Sequence, residues 1–150
     1  MSRIYIASDH AGLELKVKLV TTLSTWKFSD IYQVSDLGPQ TTDSVDYPDF
    51  ADLVCVQLKD AQPEDVGILV CGSGQGMAIR ANRYPYIRAA LCWNPQIAHL
   101  AREHNNANIL CMGARTTDHE LCVKIMQEFL QTPFAGGRHQ QRVVKLSTPV

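Results

Sequence analysis

The sequence lacks three features that would assign it to a membrane, nucleic-acid-binding or secreted class. No apolar stretch approaches the roughly 20 residues that span a bilayer. With 14 basic and 15 acidic residues the net charge is −1, so a dedicated nucleic-acid surface is not expected. The 5 cysteines form no CxxC pair, which indicates reduced thiols and neither disulfides nor a zinc site. The first residues also lack a signal-peptide pattern, so we expect a cytoplasmic protein without membrane or nucleic-acid partners.

What the sequence does contain is an alternation of short apolar runs and longer amphipathic ones. Strands are predicted over 4–7, 31–34, 66–71, 88–92 and 108–112, and helices over 13–23, 48–58, 77–82, 95–104 and 117–130. Lys16 and Lys18 are expected to point outward from the first helix. The pattern predicts one α/β domain over 1–150: a three-layer, doubly wound (Rossmann-like), five-stranded parallel sheet in the order 2-1-3-4-5. Residues 134–150 follow as a C-terminal tail.

Small and polar residues follow several of the predicted strands. Asp9 and His10 follow the first strand, loop 71–76 (CGSGQG) follows the third, and Arg115 follows the fifth. Ligands of open parallel sheets bind beyond the carboxyl ends of the strands, at the point where the strand order reverses. We therefore expect a binding site between strands 1 and 3.

Loop 71–76 carries the most informative residues. Glycines at 72, 74 and 76 allow positive φ and close approach of a ligand to the backbone. The loop has neither the Lys-Ser/Thr of a phosphate-binding Walker loop nor the third glycine of a dinucleotide fingerprint, because position 77 is Met. It is therefore either an anion site or a tight turn. Cys71, between a strand end and a helix, is either a reactive thiolate or a buried core cysteine.

The remaining candidates also have a structural alternative. Asp9 with His10 suits proton transfer, but Asp9 could simply cap the next helix. His104 and Asn105 could end the fourth predicted helix without touching a ligand. Arg138, His139 and Arg142 could clamp a phosphate together with Arg115, or belong to a solvated tail.

Taken together, these segments resemble the ribose-5-phosphate isomerase B family, which also includes galactose-6-phosphate and allose-6-phosphate isomerases. The matching segments run through nearly the whole chain: 8–12 (SDHAG), 46–48 (DYP), 71–76 (CGSGQG), 81–83 (ANR), 87–90 (IRAA), 104–108 (HNNAN), 113–115 (GAR) and 136–142 (GGRHQQR). Their number, order and spacing make the match specific.

The resemblance implies interconversion of D-ribose 5-phosphate and D-ribulose 5-phosphate with no metal and no organic cofactor. It also implies a homodimer or a dimer of dimers, with sites shared between subunits. Cys71 is the implied base, because Gln75 and Met77 are not the acids that another branch of the family uses.

The resemblance also assigns roles to the other candidates. His10, Arg115, Arg138 and Arg142 would hold the phosphate with His139 nearby, and Tyr47 would line the sugar site. His104 would open the sugar ring with help from Asp9 or Asn105, and the Ser73 hydroxyl would bond the substrate or shuttle protons.

The chemistry of these residues is consistent with that reaction. Moving a carbon-bound proton needs a base, for which Cys71 is the candidate, and donors for the enediolate oxygen, which the backbone of Gly72, Gly74, Gln75 and Gly76 could supply. Two alternatives stay open: an isomerase of a hexose 6-phosphate, and a non-catalytic anion- or nucleotide-binding module. A binding module would need the glycines and arginines but not the thiol.

Overall fold

The computed structural model describes residues 1–27 and 29–150. The strands are β1 (Ser2–Ser8), β2 (Tyr32–Asp36), β3 (Val66–Cys71), β4 (Ala89–Leu91) and β5 (Ile109–Gly113). The helices are α1 (Leu13–Thr25), α2 (Tyr47–Gln57), α3 (Gln75–Ala81), α4 (Pro95–Asn105), α5 (His119–Gln131) and α6 (His139–Leu146), with a 3-10 turn at Ser29–Ile31. Each predicted strand and helix is present, with ends shifted by a few residues. Helix α6 was not predicted; it occupies the tail.

All strand pairs are parallel, and the α/β class is confirmed. The predicted strand order was wrong in its second half: the observed order is β2-β1-β3-β5-β4. A strand with neighbours on both sides and helices on both faces must be apolar along its length. Strand β5 meets that condition because all five of its residues are buried, whereas the three residues of β4 are half-buried.

A side chain pairs with the first residue of β4 on the outer edge of the sheet. The Asn82 amide donates to the Ala89 carbonyl oxygen at 2.9 Å, and its oxygen accepts the Ala89 N–H at 2.8 Å. Asn82 therefore occupies the Ala89 backbone groups that another strand would use.

The sheet separates two apolar layers, as the doubly wound prediction requires. Alternate residues of β3 point to opposite faces, with Ile68 and Val70 on one and Leu69 and Cys71 on the other. Helices α1, α4 and α5 cover the first face, and α2 and α3 cover the second. None of the helices within the described residues is long and apolar enough to cross a membrane.

Lys16 departs from its predicted outward position. Its side chain is fully buried, and its Nζ donates to Asp36 Oδ1 at 2.7 Å and to the Pro39 carbonyl at 2.6 Å. An apolar stem and two oxygen acceptors allow a lysine to lie inside. The contact ties α1 to the loop after β2, which leads to Tyr47.

Candidate active site

An open cleft lies at the carboxyl edge of the sheet, where strand order reverses between β1 and β3. Its volume is about 460 Å³, within the range of small-molecule sites. The cleft is lined by Asp9, Tyr47, Cys71, Gly72, Ser73, Gly76, Arg115 and Thr116. Seven of these eight residues were predicted site residues; Thr116 was missed, and only its position after Arg115 could have indicated it.

Cys71 differs from the other cysteines in its surroundings. Burial raises the pKa of Cys55 and Cys92 to about 12 and that of Cys122 to about 11, so these thiols stay protonated. Cys71 ends β3 with 4% of its surface exposed, and its Sγ accepts the Gly74 N–H at 3.2 Å. The Gly74 N–H therefore holds the Cys71 sulfur in place at the start of loop 71–76.

Close contacts with neighbouring residues leave no room for a side chain at two glycines of loop 71–76. Gly74 has φ +78°, and a Cβ there would lie 2.6 Å from Leu91 and 2.8 Å from the Met112 carbonyl carbon. A Cβ at Gly76 would overlap the Tyr47 ring. These glycines therefore let the loop pack against β5 on one side and α2 on the other.

Some polar groups of this loop are already engaged. The Gln75 N–H and side-chain amide lie 3.5 and 3.4 Å from the Ser73 Oγ, and the Gly74 N–H is directed at Cys71. Arg115 is anchored by its backbone N–H to the Gly72 carbonyl at 2.9 Å, while its side chain is exposed to the cleft. The cleft thus presents a thiol and a hydroxyl from the end of β3 and a guanidinium from the end of the neighbouring strand β5.

Asp9 and His10 follow β1 on the other side of the cleft. Asp9 is 7% exposed, and its Oδ1 accepts the Gly12 N–H at 3.0 Å just before α1 begins. The alternative that Asp9 caps α1 is wrong, because the N-cap is Gly12 and no side chain caps the helix. Asp9 instead closes the turn before α1 and lines the cleft. His10 Nδ1 accepts the Val45 N–H at 3.2 Å, which leaves the proton of a neutral ring on Nε2.

The other predicted residues form a second group, built on α4 and α6. The His104 and His139 rings stack with centroids 4.3 Å apart, and Arg138 and Arg142 lie one residue before and three after His139. Desolvation, followed by the nearby His104, Arg138 and Arg142 charges, holds the pKa of His139 below its usual 6.5. Asn105 is exposed at the end of α4, and the next residue, Asn106, has the left-handed φ of 47° that ends the helix.

Within one chain the two groups lie at opposite ends of the strands. The Cys71 group is at the carboxyl ends and the His104 group is at the amino ends. Cys71 pairs with Gly113 at the carboxyl end of β5, whereas the turn after His104 leads into Ile109 at its amino end. Four residue steps along a strand span about 13 Å. The 11-residue helix α4 likewise runs about 16 Å back from the carboxyl edge before it reaches His104. One copy therefore cannot place the His104 group against its own Cys71.

The cleft holds a thiol and a carboxylate, which can transfer protons, beside a guanidinium, which can bind an anion. Among residues 1–27 and 29–150, no three His, Cys, Asp or Glu side chains come together in a way that could hold a metal ion. A buried thiol and carboxylate face a guanidinium across an open cleft in a doubly wound α/β fold. This combination defines the class of small-molecule enzymes that move protons on an anionic substrate.

Comparison with known proteins identifies the family within this class. The Ribose/Galactose Isomerase family matches residues 4–146, and the chain belongs to that family. It is 47% identical over 144 residues to a probable ribose-5-phosphate isomerase B of Mycoplasma pneumoniae, covering 95% of this chain and 91% of that protein. It is 38% identical over 143 residues to the ribose-5-phosphate isomerase B of Escherichia coli, covering 95% and 93%.

Solved structures agree with the sequence comparison. A ribose 5-phosphate isomerase from Thermotoga maritima is similar with a TM-score of 0.87 and 48% identity, covering 97% of both chains. A ribose-5-phosphate isomerase B from Mycoplasma genitalium, solved with bound ribulose 5-phosphate, is similar with a TM-score of 0.88 and 42% identity, covering 97% of this chain and 93% of that one. The family resemblance and the fold expected from it are thereby confirmed.

Proposed function

We propose that the protein interconverts D-ribose 5-phosphate and D-ribulose 5-phosphate by base-catalysed proton transfer through an enediolate. The observation that carries the proposal is the Cys71 thiol at the end of β3, inside a cleft with a guanidinium and a hydroxyl. Full-length similarity to proteins named ribose-5-phosphate isomerase B supports the choice of substrate.

Cys71 acts as the base in the proposed reaction. The thiolate takes the proton from C2 of the open-chain aldose, and the C–H electron pair becomes the double bond of the 1,2-enediolate. The same proton is then delivered to C1, while a proton moves from O2 to O1 through the Ser73 hydroxyl or the Asp9 carboxylate. A general base at the right distance contributes about 10²–10⁴ in rate.

The negative charge of the enediolate needs donors close to Cys71. Backbone N–H groups of loop 71–76 are the candidates, since the glycines bring this backbone against the cleft. The Gly74 and Gln75 N–H groups now contact side chains of the same loop, so these two contacts would have to loosen when substrate binds. The removal of one such donor typically costs about 10²–10³ in rate.

The phosphate group and ring opening are assigned to the cationic residues. Arg115 lines the Cys71 cleft and His10 follows Asp9, which also lines it, whereas Arg138, His139 and Arg142 lie with His104 at the opposite end of the strands. We assign the phosphate to these arginines and His10, with His139 nearby, and ring opening to His104 with Asn105. Phosphate binding away from the reacting carbons holds C2 near the base.

A complete site then requires a second copy of the chain. We propose a homodimer, or a pair of dimers, in which the tail 134–150 and His104 of one copy close over the Cys71 cleft of the other. The separation of the two residue groups within one chain supports this arrangement. The five free cysteines suit a reducing compartment, and we place the enzyme in the cytoplasm on that basis.

Turnover of three sugars tests the proposed function. Purified protein is assayed with ribose 5-phosphate, allose 6-phosphate and galactose 6-phosphate, with and without EDTA. We expect the ribose 5-phosphate to be turned over fastest and EDTA to have no effect. Faster turnover of a hexose phosphate would reassign the substrate. Binding of all three sugars without turnover would indicate an anion-binding module.

A further inference from the structure

Arg88 lies immediately before β4, outside the residues assigned to the reaction. Its backbone is held by Asn108, whose Oδ1 accepts the Arg88 N–H at 2.7 Å and whose own N–H donates to the Arg88 carbonyl at 3.0 Å. Its side chain extends from this fixed point. The Nε donates to the Asn106 carbonyl at 2.9 Å, and the Nη1 donates to the Ser147 Oγ at 3.2 Å.

These two acceptors belong to the two segments, α4 and α6, that carry the second group of predicted site residues around His104 and His139. Asn106 is the residue after α4, one position beyond Asn105 and two beyond His104. Ser147 is the residue that ends α6, the helix that begins at His139. One guanidinium therefore connects the end of α4 to the end of α6, and both segments hold groups assigned to ring opening and phosphate binding.

A second arginine holds the same turn without reaching the tail. Arg102 donates to the Ala107 carbonyl and, from its Nε at 3.4 Å, to the Thr132 carbonyl, and its guanidinium lies 5.4 Å from the centre of the Phe129 ring. Arg102 thus attaches the turn to α5. Of the two arginines, only Arg88 has a described side-chain hydrogen bond to the tail, at Ser147, so only Arg88 can join the turn after α4 to the end of α6.

The charge of Arg88 is not explained by an ion pair. Within residues 1–27 and 29–150, no carboxylate forms a salt bridge with it. The side chain is half-buried, and burial lowers its pKa from the ordinary value. A partly desolvated cation that bonds only neutral oxygens costs stability. Its planar fork nevertheless holds two acceptors in different directions, which a lysine ammonium does less well.

We propose that Arg88 is a positioning residue of the isomerase: it fixes His104 relative to Arg138 and Arg142 through the Asn106 carbonyl and the Ser147 hydroxyl. The inference rests on the proposed function, because it gives these segments a shared task at one substrate. Arg88 itself need not touch the substrate.

Kinetics of four variants test this role. Arg88→Met removes both contacts, and we expect kcat to fall about 10- to 100-fold and KM to rise several-fold, because displacement by about 1 Å can cost 10²-fold. Arg88→Lys should lie between Arg88→Met and wild type. Ser147→Ala loosens only the tail, so KM should rise while kcat stays within about twofold of wild type. Arg83→Met, a nearby exposed arginine whose side chain makes no described hydrogen bond, is the matched control and should change neither constant.

Hydrogen exchange supplies a readout that does not depend on turnover. In Arg88→Met we expect faster amide exchange in 105–108 and 139–148, with α1 and β1 unchanged relative to Arg83→Met. If the wild type turns over no sugar, the proposed function fails, and exchange alone decides whether Arg88 connects the two segments. The proposal is overturned if Arg88→Met keeps wild-type kcat and KM, or if exchange rises uniformly over the chain in both Arg88→Met and Arg88→Lys.

Discussion

Replacement of the Cys71 sulfur separates its role as a base from its role in holding the loop. The Sγ accepts the Gly74 N–H at 3.2 Å, and the residue is 4% exposed. Cys71→Ala leaves that buried N–H without an acceptor, which costs about 1–3 kcal/mol. Cys71→Ser keeps an acceptor at nearly the same place, so its loop should stay close to the native one. A serine hydroxyl at neutral pH is, however, a far weaker base than a thiolate.

We therefore expect kcat to fall about 10²- to 10⁴-fold in both variants, which is the contribution of a positioned general base. The alanine variant should also unfold at lower temperature than the serine variant. Binding of ribitol 5-phosphate, which has no carbonyl group, should stay within about threefold of wild type in Cys71→Ser. This limit is a small change in binding free energy, because a tenfold change in affinity corresponds to about 1.4 kcal/mol.

Cys122→Ala is the matched control for these variants. Cys122 is a fully buried thiol on α5, on the opposite face of the sheet from the Cys71 side chain. Its replacement should lower stability without changing kcat of the folded protein. A Cys71→Ser variant that retains more than a tenth of wild-type kcat would refute the assignment of the base.

Three further perturbations follow from individual contacts. Asp36→Ala leaves the fully buried Lys16 ammonium without its carboxylate and should cost about 3–5 kcal/mol in urea unfolding, whereas Lys16→Met, which leaves a partly exposed Asp36, should cost less. Gly74→Ala should abolish turnover, because its Cβ would lie 2.6 Å from Leu91 at a φ of +78°, while Gly137→Ala, strained by a φ of +54° but with nothing within 4 Å, should lower turnover much less. Because the pKa of His139 is lowered in the folded chain, its contribution to stability is present above pH 6.5 and lost as pH falls through the lowered pKa; inorganic phosphate should raise that pKa in an NMR titration.

Each of these expectations can fail in a defined way. Equal destabilisation by Asp36→Ala and Lys16→Met would show that the buried ammonium is not the costly group. An active Gly74→Ala variant would show that the loop tolerates a side chain at positive φ. A His139 pKa that does not rise with phosphate would remove this ring from the surroundings of the anion.

The local pattern of apolar residues was sufficient to predict the five strands but not the order of β4 and β5 in the sheet. The apolar runs of β3 and β5 and the helix starts near Pro48 and at Pro95 are properties of adjacent residues, and the structure has each of them within one residue of its predicted position. Strand order depends on which strand is most completely buried. The burial of β4 and β5 can be compared only when the lengths of the two strands and the contacts of Asn82 are known.

Long-range contacts explain the other differences. Lys16 looks like a surface lysine in sequence because Asp36 and Pro39, which receive its ammonium, lie 20 and 23 positions further along the chain. The candidate residues were identified by motif, but their division between two edges of the sheet follows from the direction of α4. Helix α6 was missed because a short, polar segment with two glycines before it gives little helical signal.

The most direct test of the two-copy site is complementation between inactive variants. Cys71→Ala retains the His104 group, and His104→Ala retains the Cys71 cleft, so each alone should be nearly inactive. In an equimolar mixture of exchanging homodimers, half of the dimers are mixed, and each mixed dimer holds one site with both groups intact. Turnover of ribose 5-phosphate should then recover to about a quarter of wild type. No recovery, despite mixed dimers detected by native mass spectrometry, would contradict the shared site.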